Sequence, residues 1–213
     1  MNYERARARM IEEQLVGRGI ADPRVLAAMA RVERHRFVDE ALEVRAYDDK
    51  PLPIGARQTI SQPFMVGLMT EALALRGTER VLEIGTGCGY QTAVLAELVA
   101  NVFSVERISS LAASARQLLD RLGYYNVAIR VGDGTLGWSD EAPFDAIVVT
   151  AGTPQVPRPL IGQLAEGGRL VFPIGEEELQ TLVRIRKEGA RLREEYFGDC
   201  RFVKLVGRYG WER

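Results

Sequence analysis

Histidine is nearly missing from this chain of 213 residues, and His35 is its sole representative. Cysteine is scarce as well, and Cys88 and Cys200 stand too far apart to form a metal-ligand spacing. Cys88 lies inside a glycine-rich turn, so no disulfide is expected between the two. Lysine occurs only at positions 50, 187 and 204, and every other basic residue is arginine or the one histidine. The formal net charge of −1 leaves no basic footprint for nucleic acid or for an anionic membrane surface. No apolar run approaches the length of a membrane span, and the first residues lack the apolar core of a leader. These absences set the expectation of a cytoplasmic protein with no metal, no nucleic-acid partner and no membrane partner. What remains is 46% hydrophobic, enough for one sizeable domain or a domain with an appended subdomain.

The most informative stretch is Val81-Leu82-Glu83-Ile84-Gly85-Thr86-Gly87-Cys88-Gly89. An apolar strand meets an acid and then three alternating glycines, and the following Tyr90–Leu98 segment has helical apolar spacing. A strand, a glycine turn and a helix bring backbone close to a nucleotide-like ligand at the carboxyl edge of a sheet. The glycines alone favour a ligand loop but are also compatible with a tight strand-to-helix turn. Their G-x-G-x-G spacing differs from the G-x-G-x-x-G that holds a dinucleotide pyrophosphate.

Two further acids decide the matter. Val102-Phe103-Ser104-Val105-Glu106 reads as the next strand, with Glu106 at its carboxyl end, where a carboxylate accepts from both ribose hydroxyls. Val127–Val131 is a short strand followed by Gly132-Asp133-Gly134, and Asp133 is placed to accept from an adenine amine. Each acid taken singly is more often a turn former or a cap. Together they imply an adenosine ligand without a pyrophosphate, and S-adenosylmethionine is the candidate. Glu83 either bonds the N–H groups of the glycine loop or reaches the amino group of that ligand's methionine moiety; the second role is the one expected.

Around this motif the chain alternates strand and helix. Strands are expected at 81–84, 102–106, 127–131, 144–150 and 169–174, with helices at 90–99, 109–122 and 157–164, the last ended by Gly167-Gly168. Residues 1 to about 45 read as helices, with Asp22 capping one that starts at Pro23. Residues 46–62 read as irregular, and a helix from Pro63 to about Leu75 follows. Three antiparallel strands are expected at 180–187, 191–197 and 200–206. The sum is a doubly wound, mostly parallel α/β sheet of Rossmann-like type, with an N-terminal helical extension and a C-terminal antiparallel addition. Within this one domain, residues 1–78 form the helical and substrate-side segment, 79–175 the cofactor-binding core and 176–213 the β segment.

Gln58-Thr59-Ile60-Ser61-Gln62-Pro63, Leu82–Thr92 and Ser104-Val105-Glu106-Arg107 closely resemble the signatures of protein-L-isoaspartate O-methyltransferases. Gly132-Asp133-Gly134, Ala142–Ile147, Leu164–Val171, Val32–Val38 and Arg201–Val206 look like further landmarks of that family. The glycine loop marks only a broad methyltransferase class, whereas the Thr59-Ile60-Ser61 segment makes the resemblance specific. It implies methyl transfer from S-adenosylmethionine to the α-carboxylate of L-isoaspartyl residues in damaged proteins and peptides, which begins repair through a succinimide. It also implies substrate contacts by Thr59, Ile60 and Ser61, with Ser61 as the active-site residue. Cofactor contacts are implied for Glu83, Gly85, Thr86, Gly87, Cys88, Gly89, Glu106, Arg107, Asp133 and Gly134. A monomer is expected. Cys88 replaces a common serine, and Lys204 stands where the family commonly has proline.

The residues suit that chemistry. A carboxylate is ionised at pH 7 and needs no general base, which fits a chain with one histidine. Ser61 reads on its own as the N-cap of the helix at Gln62-Pro63; the resemblance gives it a substrate role, and the two are compatible. His35, Trp138 and Trp211 are expected to pack. The rivals are another S-adenosylmethionine-dependent methyltransferase, a cofactor-binding protein without turnover, and a nicotinamide oxidoreductase. The glycine spacing opposes the last.

Overall fold

The computed structural model describes residues 2–212. Helix α1 (Tyr3–Arg9) is capped by the Asn2 side chain, which accepts from the Arg5 N–H. It runs on through a π-helical stretch, Met10–Leu15, and stops at Gly19, whose φ of 96° is left-handed. Helix α2 (Pro23–Arg31) begins as its sequence predicts, with the Asp22 carboxylate 2.8 Å from the Arg24 N–H. The stretch 46–62 is less irregular than expected. It contains a short hairpin of β1 (Leu52–Pro53) and β2 (Thr59–Ile60), and α3 (Pro63–Ala72) follows.

From Arg80 the alternation holds: β3 (Arg80–Ile84), α4 (Tyr90–Ala96), β4 (Asn101–Glu106), α5 (Ser109–Arg121) and β5 (Val127–Val131). Next come β6 (Phe144–Val149), α6 (Arg158–Gly162), β7 (Leu164–Gly175), β8 (Gln180–Glu188) and β9 (Arg191–Cys200). The sheet order is β5-β4-β3-β6-β7-β8-β9, parallel through β7 and antiparallel beyond it. The chain moves outward from β3 to β5 and then returns to the other side of β3 as β6. That reversal opens a crevice at the carboxyl ends of β3, β4 and β6.

Side chains alternate between two cores with the period of a strand. Val81, Val102, Ala146, Val148 and Val171 face the N-terminal helices, α3 and α4, in a cluster that also holds Met10, Leu15 and Met29. Leu82, Ile84, Val105, Ile147, Val149 and Leu170 face the other way, against Phe144, Leu160 and Leu205. The residues before Arg80 therefore share a core with the sheet.

Two boundaries differ from the sequence reading. Strand β7 starts at Leu164, so Gly167-Gly168 does not end a helix but sits inside the strand, where the pairing with β6 shifts register. The third antiparallel strand, expected at 200–206, does not form. Strand β9 runs to Cys200, and the chain then crosses the strand ends, touching Gly152 through an isolated bridge at Lys204.

Beneath the crevice lies a polar network enclosed by apolar neighbours. Glu83 is fully buried on β3 and accepts from Thr92 Oγ1 at 2.5 Å and from Ser104 Oγ at 2.6 Å. Ser104 in turn bonds the Thr86 hydroxyl at 2.6 Å. The other carboxyl oxygen, Oε1, has no hydrogen-bond partner among the described residues. Burial pushes the group from its ordinary 4.5 up to about 8, against the opposing pull of the two hydroxyls. The folded state thus holds a proton that the unfolded chain releases above pH 4.5. The stability this supplies is complete below pH 4.5 and is lost as pH rises through about 8. Glu83→Gln keeps the shape and removes the titration. Its thermal midpoint, followed from about pH 5 to about pH 9, should fall less steeply than that of the unaltered protein. Parallel curves would show that Glu83 does not carry this linkage.

Candidate active site

The loop from Gly85 to Gly89 joins β3 to α4 with left-handed backbone at each of its three glycines, at φ of 99°, 55° and 89°. Each end has its own reason for glycine. A Cβ at Gly85 would overlap the Thr150 hydroxyl, and one at Gly89 would meet Leu119 Cδ1 of α5 at 3.3 Å. Gly89 therefore serves the packing of α4 on α5 and lines none of the cavities described below.

Neighbouring strand ends fix the loop from both sides. Glu106, at the end of β4, accepts from the Gly87 N–H at 2.9 Å and from the Ile108 N–H at 2.8 Å. Each bond uses one lone pair of its oxygen, so one remains on each for a ligand. On the β6 side, Thr150 donates to the carbonyls of Gly85 at 2.8 Å and Ile84 at 3.0 Å. Glu106 is buried, with one edge on the crevice.

Three joined cavities open here. The inner one is lined by Ile84, Gly85, Gly87, Glu106, Ile108 and Gly134, and roofed by Val203–Val206. A small recess holds Ile60, Ser61, Cys88, Tyr90 and Gln91. An outer cleft of about 840 Å³ runs from Arg57, Ser61 and Phe64 to Phe202. Thr59 and Thr150 line all three, Arg107 lines the inner cavity and the cleft, and Ser61 lines the recess and the cleft. The sequence motifs at 58–62, 84–88, 106–107 and 134 thus meet at one place. Within it the outer cleft is wide enough for a peptide side chain, and the inner cavity presents carboxylate and backbone groups suited to a nucleoside.

Several expected residues make protein contacts that their sequence positions did not announce. Ser61 is not a cap: the N-cap of α3 is Gln62, and no side chain bonds the helix start. With Pro63 at the first turn, the boundary falls one residue later than a Ser-cap needs. The Ser61 carbonyl instead accepts from Arg34 Nη2 at 2.7 Å, and its hydroxyl has no protein partner among the described residues. Glu83 and Thr86 turn their side chains into the buried network, so Glu83 does not reach the crevice as expected. Asp133 caps a turn, accepting from Thr135 N–H and Oγ1, and holds the tail through the Arg208 N–H. It lies behind Gly134, off the cavity wall.

His35 packs as expected, stacked on Tyr3 at 4.0 Å with Nδ1 2.9 Å from the Tyr47 hydroxyl. Trp138 packs edge-on against Phe103, and Trp211 bonds the Gly152 carbonyl. Both cysteines are free thiols, and burial raises each to about 11. At Lys204 the bridge to Gly152 uses the Val203 carbonyl and the Leu205 N–H, so a proline there would sacrifice no bond of it. The sequence reading missed Thr150 as a site residue; its place at the end of the fourth parallel strand was the available signal.

The fold and site have known counterparts. Residues 5–210 match the family model for Protein-L-isoaspartate(D-aspartate) O-methyltransferase (PCMT). The protein-L-isoaspartate O-methyltransferase of Syntrophus aciditrophicus is 59% identical over 212 residues, covering 98% of this chain and 97% of that one. Its namesake in Geobacter metallireducens is 60% identical, covering 99% and 98%. Among solved structures, a protein-L-isoaspartate O-methyltransferase superposes with a TM-score of 0.86 at 30% identity, over 96% of this chain and 67% of that one. A chain described as a beta-aspartate methyltransferase from Plasmodium falciparum, in complex with S-adenosyl-L-homocysteine, gives 0.81 at 28% identity over 97% and 99%. With nearly its whole length matched, this chain belongs to the protein-L-isoaspartate O-methyltransferase family.

Proposed function

We propose that the crevice binds S-adenosylmethionine with its adenosine in the inner cavity and its methyl group facing the outer cleft, where an isoaspartyl side chain of a damaged protein presents its α-carboxylate. The observation that carries this reading is the meeting of Thr59 and Ser61 with the glycine loop at the junction of the three cavities. The inner cavity fits such a ligand: glycine backbone replaces side chains along one wall, and a buried carboxylate with free lone pairs stands on the other. Bound there, S-adenosylmethionine supplies an electrophilic methyl on a sulfonium.

The chain's own residues then bind, align and exclude water. Glu106 accepts from the ribose hydroxyls. The backbone at Gly134 meets the adenine edge, while Asp133, with one lone pair left on Oδ2, fixes that turn from behind. Cys88 and Arg107 border the ligand without chemistry of their own. The Ser61 hydroxyl, lacking a protein partner among the described residues, donates to the isoaspartyl carboxylate and orients it, with Thr59 and Ile60 shaping the wall. No base is needed, because the nucleophile arrives ionised. Alignment and partial desolvation of that carboxylate supply the acceleration. The reaction requires only a peptide and the methyl donor, so the proposal extends to a cytoplasmic monomer working without nucleic acid or membrane.

The direct test is methyl incorporation into an isoaspartyl peptide beside its normal aspartyl twin. Methylation confined to the first is expected; equal methylation of both would replace repair by general carboxyl methylation. Cofactor binding is tested by calorimetric titration with S-adenosylhomocysteine. Glu106→Ala should weaken it by roughly 1.5–3 kcal/mol, the range for a hydrogen bond to a charged group. Gly87→Val should abolish it in a folded protein, since Gly87 lines the inner cavity and the recess and its left-handed φ of 55° is one a β-branched residue resists. Unchanged affinity in both variants would remove the ligand from this cavity. Ser61→Ala should lower kcat/KM for the isoaspartyl peptide about tenfold or more, with S-adenosylhomocysteine affinity and thermal midpoint little changed. An unaltered rate would leave Ser61 as part of the wall only.

A further inference from the structure

Arg34 is a fully buried guanidinium without a counter-charge among the described residues. It lies between α2 and the hairpin and donates from Nε to the Ala46 carbonyl at 2.6 Å and from Nη2 to the Ser61 carbonyl at 2.7 Å. Its guanidinium carbon stands 4.8 Å from the centroid of the Tyr90 ring, and Nη1 has no partner among the described residues. Buried charges ordinarily stay only when an opposite charge repays their desolvation. Here the titratable groups facing it are Tyr90, Cys88 and Tyr47, all uncharged at pH 7. Carbonyl oxygens and an aromatic face solvate the cation without neutralising it. Both Ser61 and Tyr90 line the small recess that joins the glycine loop to the cleft. A net positive charge therefore sits directly behind the wall on which the substrate's anion is placed.

We propose that Arg34 is a positioning residue for the isoaspartyl carboxylate: its uncompensated charge, tied to the Ser61 carbonyl, makes the Thr59–Ser61 wall selective for an anionic substrate group. The inference deepens the methyl-transfer reading and rests on it. Its kinetic signature follows from the chemistry. The carboxylate attacks a sulfonium, so negative and positive charge are consumed together as the ester and thioether form. A fixed positive charge stabilises the ionised substrate more than the transition state. Arg34 therefore acts on KM and on selectivity, not on the methyl-transfer step.

Two variants of similar polarity separate charge from scaffolding. Arg34→Lys keeps the cation, and Arg34→Gln keeps donors for the two carbonyls but is neutral. The readouts are steady-state methylation of an isoaspartyl peptide, and competition by that peptide's product-resistant analogues, one with the free α-carboxylate and one with an α-amide. For Arg34→Gln the KM should rise about tenfold or more with kcat no lower, and the preference for carboxylate over amide should collapse. Arg34→Lys should restore most of that preference. Loss of affinity for both analogues alike, or a fall in kcat at constant KM, would mark a scaffolding role and overturn the proposal.

A measurement on the unaltered protein guards against a variant that fails to fold. Raising salt from about 0.05 M to about 0.5 M screens exposed charges far more than buried ones. The preference for the carboxylate should persist. Its disappearance would assign it to the cations lining the cleft, Arg18, Arg57, Arg107, Arg201 and Lys204, and overturn the role of Arg34. Absence of any methylation by the unaltered enzyme would overturn both readings, whereas methylation with full discrimination in Arg34→Gln would overturn this one alone.

Discussion

The bond from the Gly87 N–H to the Glu106 carboxylate is the contact on which the site depends. It ties the turn after β3 to the end of β4, and Thr150 at the end of β6 ties the same turn from the opposite side. Three adjacent strands thus hold one short loop in left-handed backbone. Without these anchors the three glycines would lose more conformational freedom on binding than a ligand contact returns. With them, the loop is set by protein contacts alone, and the carboxylate that anchors it keeps one free lone pair on each oxygen. Packing, not ligand contact, explains Gly89, and a close approach to Thr150 explains Gly85.

The N-terminal third supplies what the sheet lacks. Its helices share one core with β3, β4, β6 and β7, so the hairpin and the Thr59-Ile60-Ser61 segment are carried rigidly to the glycine loop. Arg34 completes that connection, joining Ala46, Ser61 and Tyr90 through one side chain. The Thr59–Ser61 segment and the glycine loop are therefore held against each other. That mutual fixation is what a reaction governed by alignment requires, because misplacement by about 1 Å is enough to cost rate on the order of a hundredfold.

The parallel sheet was legible in the sequence because its strands are β-branched runs and its turns carry glycine and acid at fixed places. The family, and with it the methyl-transfer activity, was legible through the Thr59-Ile60-Ser61 segment, whose resemblance is specific where that of the glycine loop is broad. Finer assignments failed where one residue of register or one neighbour decides them. Ser61 was a plausible cap, yet Pro63 sets the helix start one residue later. Arg201–Val206 is rich in the aromatic and β-branched residues of a strand, but that composition specifies extended backbone and not the edge it finds; it lies across Gly152. At the ends of β3 and β5 the acids Glu83 and Asp133 were legible, but not the protein groups they bond. Their partners, Thr92 and Ser104 for one, Thr135 and Arg208 for the other, come from distant or unremarkable positions. Arg34 was legible only as part of the Val32–Val38 landmark, and its burial was not, since an arginine in a helical segment ordinarily reads as solvent-exposed.

The central claim is that a loop pre-set by Glu106 and Thr150 forms the floor of the methyl-donor site. Amide hydrogen exchange with and without S-adenosylhomocysteine addresses it without altering any residue. The account predicts added protection in the segments around Gly85–Gly89, Glu106–Ile108 and the Val203–Val206 roof, and little change in α1 and α2. Binding that leaves exchange at Gly85–Gly89 and Glu106–Ile108 unaltered, while protecting another part of the chain, would contradict it.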